Sequence, residues 1–121
     1  MSGDFEALAR EAVAGELRIA SGAAEACAAE CDRYVQELIA LRRRTASIVN
    51  VDSFGTLNSA TMLGAKFQEL AVGGPGSGSL SEALGRHIEA VQSMADMFRK
   101  AGAAYTATED GNAADLSAEA R

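Results

Sequence analysis

The sequence predicts an all-α protein of one domain, and three observations support that fold class. The 121-residue chain contains a single proline, Pro75, and its β-branched residues never form the long alternating run of a strand. Long stretches are rich in Ala, Leu, Glu and Arg, which are good helix formers. Hydrophobic residues make up 48 % of the chain, many of them alanines, and Trp is absent. That composition favours closely packed helices over a deep globular interior.

The first predicted element is one long helix over about residues 4–49, a stretch without proline. Its apolar positions step alternately by four and three residues, as in a helix that packs along partner helices. These positions are Val13, Leu17, Ala20, Ala24, Cys27, Cys31, Tyr34, Leu38, Leu41, Thr45 and Ile48. We therefore predict continuous helix from residue 8 to residue 46.

A short break follows at residues 50–59, where the sequence NVDSFGTLNS is rich in turn and cap residues. Phe54 and Gly55 form the predicted hairpin turn. The aromatic ring would cap the open end of the bundle, while glycine permits a tight backbone. A break this short favours an antiparallel neighbour for the helix that follows.

Two further helices are predicted after this turn. The second spans about residues 56–72 and ends at GGPGSGS (73–79), which we interpret as a flexible joint. The third begins at Ser79 or Ser81, because Glu82 lies three residues after Ser79, the spacing of a capping box. Its apolar face consists of Leu84, His87, Val91, Met94, Phe98, Ala101 and Tyr105.

The second and third helices together are about as long as the first. The simplest architecture is a long antiparallel helical hairpin whose second arm is broken by the Gly-rich loop, with the third helix along the half that contains Leu17 and Cys27. A three-helix bundle is the alternative. We assign residues 1–110 to the helical hairpin domain and residues 111–121 to a flexible tail with no predicted structure. Small apolar residues outside the main faces favour a four-helix assembly with a second copy or a sister protein.

Charge and hydropathy exclude several classes of partner. The net charge of −6 argues against nucleic acid, because a phosphate-binding surface needs clustered Lys and Arg. No stretch approaches the ~20 apolar residues that span a bilayer, so we expect no stable membrane insertion. The acidic N-terminus lacks the basic start and apolar core of a secretory signal peptide.

Three residues are candidates for metal, redox or catalytic chemistry: Cys27, Cys31 and His87. The two cysteines lie four residues apart on the predicted apolar face, where a disulfide has poor geometry, and no fourth ligand shows zinc-site spacing. We interpret both as core residues. A metal- or redox-responsive bundle that uses all three residues is a distant alternative. Catalysis by His87 would need a nucleophile and an orienting acid nearby, and Ser93 and Asp96 of the same predicted helix point elsewhere, so we predict no catalytic residue, no metal site and no cofactor.

The most specific pattern stands near the end of the third helix, in the segment AGAAYTATED. Tyr105 and Glu109 are one helical turn apart, so their side chains project on the same side. On the residues alone, Tyr105 is either the last core residue of a fraying helix or part of a recognition signal.

Together these features resemble the small helical-hairpin substrates of type VII (ESX) secretion in actinobacteria, the WXG superfamily, and above all its EspC-like members. The resemblance covers about residues 8–110. In that group an alanine-rich last turn is followed by Tyr, three residues and an acid, and Tyr105 and Glu109 match this export signal. The Trp-x-Gly turn of the superfamily is absent, because the turn here contains Phe54 and Gly55 and no tryptophan.

The resemblance implies a non-enzymatic protein, made in the cytoplasm without a cleavable signal peptide and exported folded as a dimer to the medium or the cell surface. The implied partners are a second copy or a sister helical hairpin, and the type VII secretion ATPase, which Tyr105 and Glu109 would contact. The alternative from a different class is a cytoplasmic helical adaptor or chaperone that acts by helix packing.

Overall fold

The computed structural model describes residues 2–48, 58–73, 76 and 78–119, and every regular element within these ranges is a helix. The helices are α1 (Ser2–Val13), α2 (Ser21–Ile48), α3 (Asn58–Val72) and α4 (Leu80–Glu119). The all-α prediction is confirmed, and this helix content is compatible with both the predicted hairpin and its bundle alternative. Within the described ranges, none of these helices combines the length and hydropathy that a membrane span requires.

The chain divides into two compact units, and α2 and α4 each contribute to both. The terminal unit comprises Met1–Tyr34 and Ala90–Arg121, and the central unit comprises Val35–Glu89. α1, the first part of α2 and most of α4 belong to the terminal unit. The second part of α2, α3 and the start of α4 belong to the central unit.

The prediction of one continuous helix from residue 8 to residue 46 is wrong. α1 ends at Val13, α2 begins at Ser21, and the connecting residues 14–20 are not helical. The periodic pattern runs through this connection because Leu17 and Ala20 carry apolar side chains at the predicted spacing between Val13 and Ala24. The apolar periodicity therefore concealed the connection between two separate helices.

A glycine cap ends α1. Gly15 has a φ of 83°, in the left-handed region that glycine adopts without steric cost. Its N–H donates to the Ala12 carbonyl oxygen at 3.0 Å, and the Glu16 N–H donates to the Glu11 carbonyl oxygen at 2.9 Å. This pair of hydrogen bonds is the Schellman motif, which satisfies the last carbonyls of a helix.

Small side chains form most of the core of the terminal unit. Its described buried hydrophobic residues are Ala9, Ala12, Ala24, Ala28, Cys31, Ala90, Val91, Ala95, Met97 and Ala101. α2 and α4 run antiparallel there and approach so closely that a Cβ added at Gly102 would lie 2.8 Å from the Ala24 Cβ. An ion pair between Asp32 of α2 and Arg99 of α4 flanks this contact.

Larger side chains form the core of the central unit, where Val35, Leu38, Leu84 and Ile88 are buried together with Thr45 and Ser79. The Arg42 Nε donates to the Ser81 hydroxyl at 3.1 Å. The start of α4 therefore lies beside the last turns of α2. The predicted contact was limited to the half of the first arm that contains Leu17 and Cys27.

The buried face of α2 differs in phase from the predicted one. Every seventh position was predicted correctly, because Ala24, Cys31, Leu38 and Thr45 are buried. The positions between them are displaced by one residue. Ala28 and Val35 are buried, whereas Cys27, Tyr34 and Leu41 are exposed.

Ser79 is the N-terminal cap of α4, as its spacing to Glu82 predicted. The Glu82 N–H donates to the Ser79 hydroxyl at 3.2 Å, and that hydroxyl donates to the Gly73 carbonyl oxygen at 3.1 Å. The Glu82 carboxylate accepts from the N–H groups of Gly76 and Gly78 at 3.0 and 3.1 Å. Both glycines have positive φ. The described residues of the predicted flexible joint are thus hydrogen-bonded to the first turn of α4.

The end of the chain also differs from expectation. α4 continues to Glu119, so residues 111–119, for which no structure was predicted, are helical and exposed. The predicted hairpin turn at Phe54 and Gly55 lies outside the described residues.

Candidate recognition site

The two predicted signal residues, Tyr105 and Glu109, lie on α4 well before its end at Glu119. Tyr105 is half-buried and Glu109 is exposed. Because the helix continues beyond both residues, neither belongs to a frayed helix end. The pair keeps the one-turn spacing on a regular helix that places both side chains on the same side.

The connection between α1 and α2 is held against α4 next to Tyr105. The Ile19 N–H donates to the Ala101 carbonyl oxygen at 3.2 Å. One turn beyond Tyr105, the Arg18 guanidinium donates to the Thr108 hydroxyl at 3.4 Å, and that hydroxyl donates to the Ala104 carbonyl oxygen. These contacts were not predicted, because the sequence pattern placed Arg18 in the middle of a helix.

Acidic residues dominate the last part of α4. Its residues after Lys100 include four acids and no base. Those acids are Glu109, Asp110, Asp115 and Glu119, and all four are exposed. Lys100, just before this segment, forms an ion pair with Asp96 at 2.8 Å. The segment therefore presents a negative surface, and a complementary partner surface would be basic.

A shallow groove of about 450 Å³ runs between the end of α1 and α4 in the terminal unit. Ala103, Ala104 and Ala107 of α4 line it, together with Val13 and Thr108. Its walls are mostly small and apolar. Among the described residues that line the groove, the polar side chains are Thr108 and Lys100.

The two cysteines occupy different environments, and the prediction that both lie on the buried face is wrong for one of them. Cys31 is buried, Cys27 is exposed, and both are free thiols. Burial raises the pKa of the Cys31 thiol, and the neighbouring Cys27 and Asp32 raise that pKa further. The cause is the displaced phase of α2, which turns position 27 away from α4.

His87 lies half-buried on the first part of α4, on the face that was predicted to be apolar. Among the described residues, no group of three or more His, Cys, Asp and Glu side chains is arranged to hold a metal ion.

No family model, curated protein or solved structure matches this chain.

Proposed function

We propose that this is a non-enzymatic protein of type VII (ESX) secretion, recognised through Tyr105 and Glu109 on α4. The observation that carries the proposal is the placement of this pair. Glu109 is exposed, Tyr105 is half-buried one turn before it, and the helix continues past both. A partner can therefore contact a preformed helical surface, without first ordering a flexible segment.

The charge of the same surface supports a basic partner site. Beyond Lys100, α4 has four acids and no base, so long-range attraction would guide a positively charged groove to this end of the helix. We propose that the type VII secretion ATPase supplies that groove. The protein would be exported folded to the medium or cell surface, together with a second copy or a sister helical hairpin.

Fractionation of the native host tests this proposal. The protein is to be quantified in the cytosol, cell envelope and medium of cells with and without the type VII secretion ATPase. We expect it outside the cytosol only when the ATPase is present. An equal distribution in both strains would contradict the proposal, and a cytosolic marker protein controls for lysis.

A cytoplasmic helical adaptor or chaperone is the second candidate, and the exposed apolar residues of α3 favour it. Met62, Leu63, Phe67 and Leu70 are each about half exposed or more. Such a surface is typical of proteins that bind a partner helix. Strictly cytosolic protein in both strains would support this second function.

A further inference from the structure

The apolar surface of α3 is the largest concentration of exposed hydrophobic side chains on one described helix. The exposed fractions are 70 % for Met62, 49 % for Leu63, 51 % for Phe67 and 67 % for Leu70. At 3.6 residues per turn, these four side chains occupy one side of the helix within roughly 140°. We call these four residues the α3 face.

A charged pair accompanies the α3 face. Lys66 lies within the same arc, between Met62 and Leu70, and its ammonium group is 3.5 Å from the Glu69 carboxylate. Both side chains are largely exposed. An exposed pair of this kind adds little to the stability of its own helix. Each of its charges can therefore pair with an opposite charge on another molecule at little cost.

The distribution of net charge favours the central unit, which contains α3, for contact between identical chains. The central unit, residues 35–89, contains five bases and five acids, so the whole net charge of −6 belongs to the remaining residues. Two copies that approached through their terminal units would bring like charges together. Contact through the central units avoids that repulsion.

We infer that the α3 face is the contact surface of a weak homodimer, in which α3 packs antiparallel against α3 of a second copy about a two-fold axis. As in any isologous interface, the α3 face then contacts the same face of the second copy, which runs in the opposite direction. Leu63 of one copy lies near Leu70 of the other. Lys66 and Glu69 exchange partners across the axis, so the interface is complementary in charge as well as in hydropathy.

The area of the α3 face determines how tightly we expect the dimer to bind. Four side chains at these exposures present on the order of 450 Å² of apolar surface per copy. The total of about 900 Å² is below the ~1,200 Å² of stable interfaces, so we expect a dissociation constant on the order of tens of micromolar or weaker. This inference concerns the purified protein and does not depend on export.

Sedimentation velocity over a range of concentrations tests the surface with matched variants. Leu70 and Leu116 are both leucines, each 67 % exposed, but only Leu70 belongs to the α3 face. Leucine and glutamine have similar helix propensities, so substitution by Gln changes hydropathy with little effect on either helix. We expect Leu70→Gln to raise the dimer dissociation constant roughly tenfold or more, because the change occurs twice per dimer, and Leu116→Gln to leave it unchanged.

A charge exchange tests the two-fold pairing itself. Lys66→Glu and Glu69→Lys should each weaken self-association, since each places like charges across the axis. An equimolar mixture of these two variants, and the double variant, should associate at least as well as the unsubstituted protein.

Circular dichroism serves to check that each variant retains its helix content. A monomer at every accessible concentration would overturn the inference. Equal effects of Leu70→Gln and Leu116→Gln would also overturn it, as would a mixture of charge variants that associates no better than either variant alone. Capture of a different protein by the α3 face, without self-association, would support the adaptor function instead.

Discussion

The terminal and central units share two helices, but they form their cores by different means. Seven of the ten described buried hydrophobic residues of the terminal unit are alanines, whereas those of the central unit are Val35, Leu38, Leu84 and Ile88. Alanine allows two helices to approach closely but buries little area per side chain. Branched side chains keep helices farther apart and bury more area, so the two units should respond to opposite kinds of substitution.

Their surfaces differ as well. The terminal unit carries the net charge, while the central unit is neutral. Among the described residues, six of the nine exposed large hydrophobic side chains belong to the central unit. This distribution separates a negatively charged region, which contains the proposed export signal, from an apolar region suited to association. The following predictions test that separation, beginning with the largest expected effect.

Removing a large side chain should be most damaging in the central unit. Leu38 is buried, and Leu38→Ala should lower the free energy of unfolding by about 2–4 kcal/mol through lost burial and a residual cavity. In the terminal unit, Ala28→Gly should cost only about 1 kcal/mol, mainly through the lower helix propensity of glycine. Urea denaturation of both variants measures the difference, and equal losses would contradict the contrast between the cores.

Adding one methyl group should be most damaging in the terminal unit. Gly102→Ala places a Cβ 2.8 Å from the Ala24 Cβ, and we expect a net loss of about 1–2 kcal/mol despite the better helix propensity of alanine. Gly85→Ala in the central unit would meet the Arg42 guanidinium at 3.2 Å, and that flexible side chain can move aside. Its effect should be close to zero, because the better helix propensity of alanine is offset by weakening of the Arg42–Ser81 hydrogen bond.

Gly111→Ala supplies the control for propensity alone, because nothing lies within 4 Å of the added Cβ. On the exposed end of α4 it should stabilise the helix by up to about 1 kcal/mol. A destabilising Gly111→Ala, or a stabilising Gly102→Ala, would show that close packing is not what distinguishes these glycines. Thermal unfolding followed by circular dichroism is sufficient for all three variants.

The Ser79 cap of α4 should contribute less to the free energy of unfolding than the core contacts at Leu38 and Gly102. Ser79 accepts a hydrogen bond from the Glu82 N–H and donates one to the Gly73 carbonyl oxygen, so Ser79→Ala should cost about 1 kcal/mol. Ser79→Asp retains the acceptor but loses the hydroxyl donor, and it should recover part of that loss. If Ser79→Ala were neutral, the contacts of the Gly-rich segment would not stabilise the central unit.

The smallest effect concerns the two cysteines of the terminal unit. Burial raises the pKa of Cys31, so at pH 8 its thiol should react far more slowly than the exposed Cys27 thiol with a maleimide. Because the folded-state pKa exceeds the unfolded one, the related contribution to stability is complete below the ordinary thiol pKa. It is lost as the pH rises through the folded-state value. Mass spectrometry of partly labelled protein identifies which cysteine reacts, and equal rates would contradict the difference in burial between the two thiols.

The sequence was sufficient for the helical class, for α3 and for the Ser79 cap, which accepts from the Glu82 N–H. These features depend on local composition and on hydrogen bonds within a few residues. The phase of α2 could not be obtained in the same way. Apolar residues stand at positions 27 and 28, and again at 34 and 35, so two faces have the same seven-residue spacing. The position of α4 decides which of these faces is buried.

The break between α1 and α2 is a different kind of error, because its signal was present. A glycine directly after an alanine-rich helical stretch is the ordinary C-terminal cap, and Gly15 occupies that position. The apolar pattern continued in phase through Leu17, and periodicity was given more weight than the cap. The Arg18 and Ile19 contacts beside the candidate recognition site could not be predicted while this connection was assigned to a helix.

Export of matched α4 variants from the native host tests the proposed recognition through Tyr105 and Glu109 most directly. Glu109→Gln and Glu119→Gln remove the same charge from exposed positions of one helix, inside and outside the proposed signal. We predict that Tyr105→Ala and Glu109→Gln abolish export while helix content is retained, and that Glu119→Gln is exported normally. Normal export of Glu109→Gln, together with unfolding of Tyr105→Ala, would contradict the proposal and make Tyr105 a core residue.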